Sequence, residues 1–159
     1  MVGYNIIVMK MPSNGPKRIT NRRAKFDYEL GDSIVVGIEL TGAETKALRL
    51  GHGHIKGAYV TIKGNELWLL NSTIHGTNAI KLSEQQQTRT RRLLAKRKEI
   101  NELITAKQQG KSIIPIELLT AGRYIKLRIS TGRGRKRYDK RQVIKARDED
   151  RNTARLLAK

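Results

Sequence analysis

The chain has 159 residues, room for one domain with a sizeable core plus tails. Its 33 Lys and Arg against 14 Asp and Glu give a net charge of +19, a balance that points to nucleic acid as the partner. The absence of cysteine excludes disulfides and thiolate metal sites and suits a reducing cytoplasm, and no apolar run approaches the roughly 20 residues of a membrane span.

Residues 1–20 read as a flexible arm: "GYNIIVM" is apolar but short, with no basic stretch before it and no small-residue cleavage site after it. From about Phe26 to Ile74 the apolar residues follow mostly period two, and strands are expected around 25–31 and 33–40. "TGAETKALR" (41–49) predicts a helix with Thr41 as cap and Glu44 at capping-box spacing. In "AYVTIKGNELWLL", Ala58, Val60 and Ile62 share one face, and Gly64-Asn65 signals a hairpin because a tight primed turn needs positive φ.

A longer helix is expected from about Thr88 to Gln109, stopping at Gly110, with Leu93, Ile100, Leu103 and Ile104 as its apolar stripe. Arg89, Arg91, Arg92, Lys96, Arg97 and Lys98 crowd its start, where cations oppose the helix dipole, so an external phosphate is the expected counter-charge. "SIIPIELL" and "YIKLRIS" then predict two strands joined through Ala121-Gly122, with Ile125, Leu127 and Ile129 inward. Pro115 cannot donate to a ladder, which puts its strand at an edge or on a bulge. About six short antiparallel strands make the fold class mainly β, a small barrel or strongly curved sheet. The chain then passes into "GRGRKRYDKR" (132–141), six cations and one acid around a tyrosine, too polar to form core.

No catalytic constellation is visible. His52 and His54 form a His-x-His pair that could chelate a metal, but neither a cysteine nor a neighbouring acid supports it, and exposed turn histidines explain them better, as they do His75. Ser72 and Ser83 have no base at a recognisable spacing. No enzyme activity, cofactor or metal is expected. An RNA-binding protein, a DNA-binding architectural protein and a ribosomal structural protein remain. The seven aromatics (Trp68, Phe26 and five tyrosines) argue against a base-stacking single-strand platform, and outward Lys and Arg suit shape and phosphate recognition of folded RNA. Composition does not separate an RNA binder from a ribosomal protein.

Four stretches in order narrow the choice: "NRRAKFDYEL" (21–30), "GIELTGAETKALRLG" (37–51), "RTRRLLAKRKEINEL" (89–103) and "GRKRYDKR" (134–141). The chain resembles, from about Thr20 onward, the SsrA-binding protein family, also called small protein B. The resemblance implies a six-stranded antiparallel OB-type barrel with about three helices over 21–131, and a basic tail over 132–159, disordered when free and helical on the ribosome. It implies binding to the tRNA-like domain of transfer-messenger RNA, delivery with elongation factor Tu through the aminoacylated RNA, and rescue of stalled ribosomes by trans-translation. A cytoplasmic monomer with no membrane partner is expected.

Carried over by position, the RNA contacts would be Asn21, Arg22, Arg23, Glu44, Lys46, Arg49, Arg89, Arg91, Arg92 and Leu94, the last on the long helix; Glu44 reads equally as a cap or internal ion-pair partner, and a core role rivals the contact for Leu94. Gly134, Arg135, Lys136, Arg137, Tyr138, Asp139, Lys140 and Arg141 would enter the small-subunit decoding centre, with Gly132 and Gly134 as a hinge. Val35 stands where the family usually has a glutamate; alternation along a strand puts Glu39 on the same face as a possible replacement. Gln86-Gln87 replaces the family's Asp-Pro, and His52 a usual lysine.

Overall fold

The computed structural model describes residues 18–157. The first 17 residues of the expected arm lie outside it. Ile19–Thr20, also assigned to that arm, instead form strand β1 on the body, with Ile19 buried. The remaining elements follow as α1 (Ala24–Asp27), β2 (Tyr28–Ile38), α2 (Gly42–Arg49), β3 (Gly53–His54), β4 (Tyr59–Lys63), β5 (Glu66–Leu70) and β6 (Thr73–Ile74). They continue as α3 (Glu84–Thr88), β7 (Arg91–Leu94), α4 (Arg97–Gln108), β8 (Ser112–Leu119), β9 (Lys126–Gly134) and α5 (Arg137–Leu157).

Seven strands make one antiparallel sheet in the order β1-β8-β4-β5-β7-β2-β9, and β8 also pairs with β9. The pairings therefore pass round β2, β7, β5, β4, β8 and β9 and return to β2, with β1 added on β8 at Leu118 and Glu117. A separate two-stranded sheet joins β3 to β6. Period-two alternation supplies the interior: Val36, Val60, Leu67, Leu69, Leu93, Ile113, Leu127 and Ile129 are all buried in one cluster. Helices α2 and α4 add Ala47, Leu48, Ile100 and Leu103 to it. Each buried Val, Leu or Ile side chain stabilises the fold by roughly 1.5–3 kcal/mol.

Several local expectations hold. Thr41 and Glu44 form the capping box of α2. Gly64 and Asn65 both have φ near 60° in the β4–β5 turn, the primed-turn geometry. The register between β8 and β9 shifts between Pro115 and Glu117, the bulge that Pro115 required.

Others need correction. The two strands expected at 25–31 and 33–40 are one 11-residue strand, β2, with an irregularity between Leu30 and Ser33, while Ala24–Asp27 is a helical turn. The long helix expected from Thr88 begins only at Arg97; before it come α3 and strand β7. In β7 the burial alternates, with Arg91 and Leu93 buried and Arg92 and Leu94 exposed. A buried arginine disguised that period in the sequence. Residues 21–131 carry four helices, α1 to α4, rather than about three. Strand β9 runs through Gly134, where Gly132 pairs with Leu30 and Ser112. A Cβ on Gly132 would stand 2.9 Å from the Glu29 carbonyl, so this glycine permits close strand approach and is not a hinge.

Candidate RNA-binding surface

Glu44 organises one end of the ring. Its Oε2 accepts from the Thr41 amide at 2.8 Å, closing the capping box, and from Arg89 Nη2 at 2.7 Å. Its Oε1 accepts from Arg89 Nε at 2.8 Å and from Arg91 Nη2 at 3.0 Å. The Arg91 guanidinium, fully buried, also donates to the Ser72 carbonyl and hydroxyl and to the carbonyls of Arg89, Gln86 and Gln87. A buried charge is tolerated only when its hydrogen-bonding groups are met and a counter-charge is near, and both conditions hold.

Burial by itself would raise the Glu44 carboxyl, but the Arg89 hydrogen bond, the Thr41 amide and the charges of Arg91 and Arg89 hold it below its ordinary value. Burial pulls the Arg91 guanidinium down against the opposing pull of Glu44, whereas the Glu44 hydrogen bond raises Arg89. Glu44 is 1% exposed and Arg91 0%. Neither reaches the surface to touch RNA: Glu44 takes its other expected role, cap and internal ion-pair partner, Arg91 is corrected to an internal residue, and the two fix Arg89 and join α2 to α3 and β7. Nor does this cation cluster strain a helix terminus, because Glu99 caps the start of α4 through the Lys96 amide.

From this network an exposed face extends across β7 and β2. Arg89, a third exposed, also donates to the Glu39 carbonyl, and the Glu39 amide donates to the Arg92 carbonyl. Glu39 itself is exposed just beyond β2, on the same alternating face as the exposed Val35, with Val36 and Ile38 buried between them. Leu94 is 52% exposed, on strand β7 rather than a helix, opposite Gly37. A Cβ at Gly37 would lie 3.1 Å from the Leu94 Cβ, so glycine leaves Leu94 its place. Arg92 pairs with Glu66 on this face. On α2, Lys46 and Arg49 are exposed, and Arg49 donates to the carbonyls of Gly122 and Arg123.

Asn21, Arg22 and Arg23 are not part of that face. Asn21 Nδ2 donates to the Pro115 carbonyl at 3.1 Å and its amide to the Ile116 carbonyl, which fixes it on β8. In the ring of pairings, β8 lies three strands from β7 by either route. Asn21 and Arg23 line a cavity of about 600 Å³ with Lys56, Tyr59, Lys107 and Lys111, and Asn21 Oδ1 is buried without a partner. Residues read together from sequence thus fall on opposite sides of the body.

The basic run over 132–141 is divided by the fold. Gly134 ends β9, and the Arg135 amide donates to the Asp27 carbonyl at 2.8 Å. Asp139 caps α5 by accepting from the Lys136 amide. Lys140 Nζ is 3.0 Å from Asp27 Oδ1 and lies over the Phe26 ring, so the base of α5 is tied to α1. Arg141 is exposed, and the side chains of Arg137 and Tyr138 lie outside the described part. Sequence reasoning missed Asp27 as the anchor: its partner is 113 positions away, and no local pattern announces such a pair. His54 and His75 have ring centroids 5.5 Å apart, and no cluster of three or more metal-ligating groups occurs among the described residues.

Comparison with known proteins places this arrangement. The family model described as SmpB protein matches residues 18–159. An SsrA-binding protein of Chelativorans sp. (strain BNC1) is 40% identical over 139 residues, covering 86% of this chain and 90% of the relative. One from Synechococcus sp. (strain JA-3-3Ab) is 37% identical over 152 residues, covering 94% and 98%. A solved structure described as "tmRNA-SmpB: a journey to the center of the bacterial ribosome" superposes with a TM-score of 0.62 at 28% identity, covering 80% of this chain and 94% of that one.

Proposed function

Since this chain belongs to the SmpB family, we propose that it binds transfer-messenger RNA through the tRNA-like domain and brings it to stalled ribosomes for trans-translation. The observation that carries this reading is the face around β7: an exposed leucine on the same side as Arg89, Arg92 and Glu39, held in register by the buried Glu44–Arg91 pair. Cations there neutralise phosphates, and Leu94 meets an exposed base. Asn21, Arg22 and Arg23 contact RNA from the opposite side of the body. The closed ring of six strands is read as an OB-type barrel, and the tail as the part that enters the decoding centre of the small subunit.

Because β9 extends to Gly134, the body ends there and the tail starts at Arg135. The described part of α5 outside its first turns is exposed, and its sequence offers little apolar surface, so we expect it to lose helicity in the free protein and regain it on the ribosome. Elongation factor Tu joins through the aminoacylated RNA. The protein works as a cytoplasmic monomer and performs no catalytic step of its own. No helix among the described residues is long and apolar enough to cross a membrane.

The test is a titration of the isolated tRNA-like domain at increasing salt. Each neutralised phosphate contributes about −0.7 to the slope of log affinity against log salt, so a steep line is expected, and a flat one overturns the electrostatic reading. Sequencing the RNA that copurifies with the protein from its host separates the remaining classes. Enrichment of one transfer-messenger RNA supports the proposal, and ribosomal subunits alone favour a ribosomal structural protein.

A further inference from the structure

We infer that the outward face of β4, β5 and β7 forms a pocket for a single unstacked nucleobase, stacked on Trp68 and held by its amino group at Glu66. The inference deepens the RNA-binding reading above and rests on it. In β5, Leu67 and Leu69 are buried, so Glu66, Trp68 and Leu70 project outward, each half-buried. The register sets Thr61 opposite Trp68 and Trp68 opposite Arg92, with Lys63 opposite Glu66. Thr61, Lys63, Glu66, Trp68, Leu70 and Thr90 line a cavity of about 550 Å³. That is within the usual range for sites that hold a small flat ligand.

The lining selects the occupant. Trp68, the only tryptophan of the chain, and Leu70 offer an apolar surface against which any base can stack. Arg92 and Lys63 supply cations for the flanking phosphates, in continuity with Leu94 and Arg89 on the same side of the ring. Glu66 pairs with Arg92, but both side chains are substantially exposed, 39% and 44%, so the pair stabilises the fold little and can open. A carboxylate is an acceptor only. It takes hydrogen bonds from the amino groups of adenine, cytosine or guanine and is repelled by the O4 acceptor of uracil. Paucity of aromatics excludes a platform for many bases, yet one ring suffices for one base.

Because Trp68 is the sole tryptophan, its emission reports this pocket alone. The full chain is titrated with the hexanucleotides r(C)6, r(A)6 and r(U)6, following Trp68 fluorescence. The expected result is quenching by r(C)6 and r(A)6, with r(U)6 weaker by about fivefold or more. Trp68→Ala should weaken filter-measured binding of r(C)6 about tenfold, and Trp68→Phe, which keeps a ring on the outward face, should lose less. Glu66→Gln should narrow or invert the preference over r(U)6, since an amide can also donate. Unchanged emission, equal affinity for the three hexamers, or a preference untouched by Glu66→Gln each overturn the pocket. The tRNA-like domain is measured in parallel by filter binding. If it binds while Trp68 emission stays constant, only the base pocket falls; if it does not bind, the RNA-binding reading falls with it.

Discussion

Residues 89–92 and residues 133–141 are both basic runs, and in the sequence they look alike. In the fold they are opposites. The first contains Arg91, with no exposed surface and every direction of its guanidinium met by an acceptor, while its neighbours Arg89 and Arg92 reach the surface. The second begins on β9, where Arg133 and Gly134 pair with β2, and beyond Gly134 it is tied to the body through Asp27. Both runs meet acids remote in the chain, and the difference comes from their burial: Glu44, 47 positions from Arg91, is fully enclosed, whereas Asp27, 113 positions from Lys140, is partly exposed. Local charge density therefore does not tell a structural arginine from a functional one. Complete burial beside a counter-charge does, since Arg89 and Arg92 also have acidic partners but stay partly exposed.

The comparison breaks most sharply at Glu44. Glu44→Gln leaves Arg91 as a buried charge without its partner, and a loss of about 3–5 kcal/mol is expected in urea unfolding. The pH profile gives an independent check. The folded Glu44 carboxyl lies below its ordinary value of 4.5, so its contribution is full above that value and disappears as pH falls through the lowered one. Glu44→Gln should remove this acid limb; an identical acid limb in the variant would mean another carboxylate causes it.

Next in size is the tail boundary. Truncation after Thr131 deletes the pairings of Gly132, Arg133 and Gly134 with β2, each backbone hydrogen bond stabilising by about 0.5–1.5 kcal/mol, so the body should lose about 2 kcal/mol or more. Truncation after Lys136 should leave stability and binding of the isolated tRNA-like domain near normal and abolish peptide tagging on stalled ribosomes. Tagging by the shorter chain would remove the tail from the mechanism.

Glu39 sharpens the picture of the exposed face. Glu39→Gln should weaken RNA binding by roughly 1.5–3 kcal/mol, the range for a hydrogen bond to a charged group, and Val35→Glu added to it should restore part of the loss. Val35 and Glu39 share one exposed face, which makes the exchange geometrically possible. Equal affinity in the folded Glu39→Gln protein would show that no carboxylate acts there.

The smallest effect is expected at the latch between tail and body. The Lys140–Asp27 pair is partly exposed, so Lys140→Ala should change unfolding stability by less than about 1 kcal/mol. A larger loss would place α5 among the structural elements rather than among those available for docking.

The sequence by itself determined what depends on neighbours along the chain. Alternation in "AYVTIK" and "LRIS" reports which side chains go inward, because the pleat has period two wherever the strand lies. The Thr41–Glu44 capping box and the Gly64-Asn65 turn close within four residues, so their chemistry is complete locally. Leu94 was singled out by its place in a motif and is exposed, but its strand was not legible. "RRLL" has the alternation of a strand only if Arg91 counts as an inward residue, and nothing nearby says that an arginine can be buried. Tertiary structure alone decided that, by delivering Glu44, Ser72 and the carbonyls of α3 around one guanidinium. It also separated Asn21 from Leu94, since the closure of a ring of strands sets which residues share a side. Burial of a charge and the choice of a face both rest on partners remote in sequence, and such partners exist only once the chain has folded.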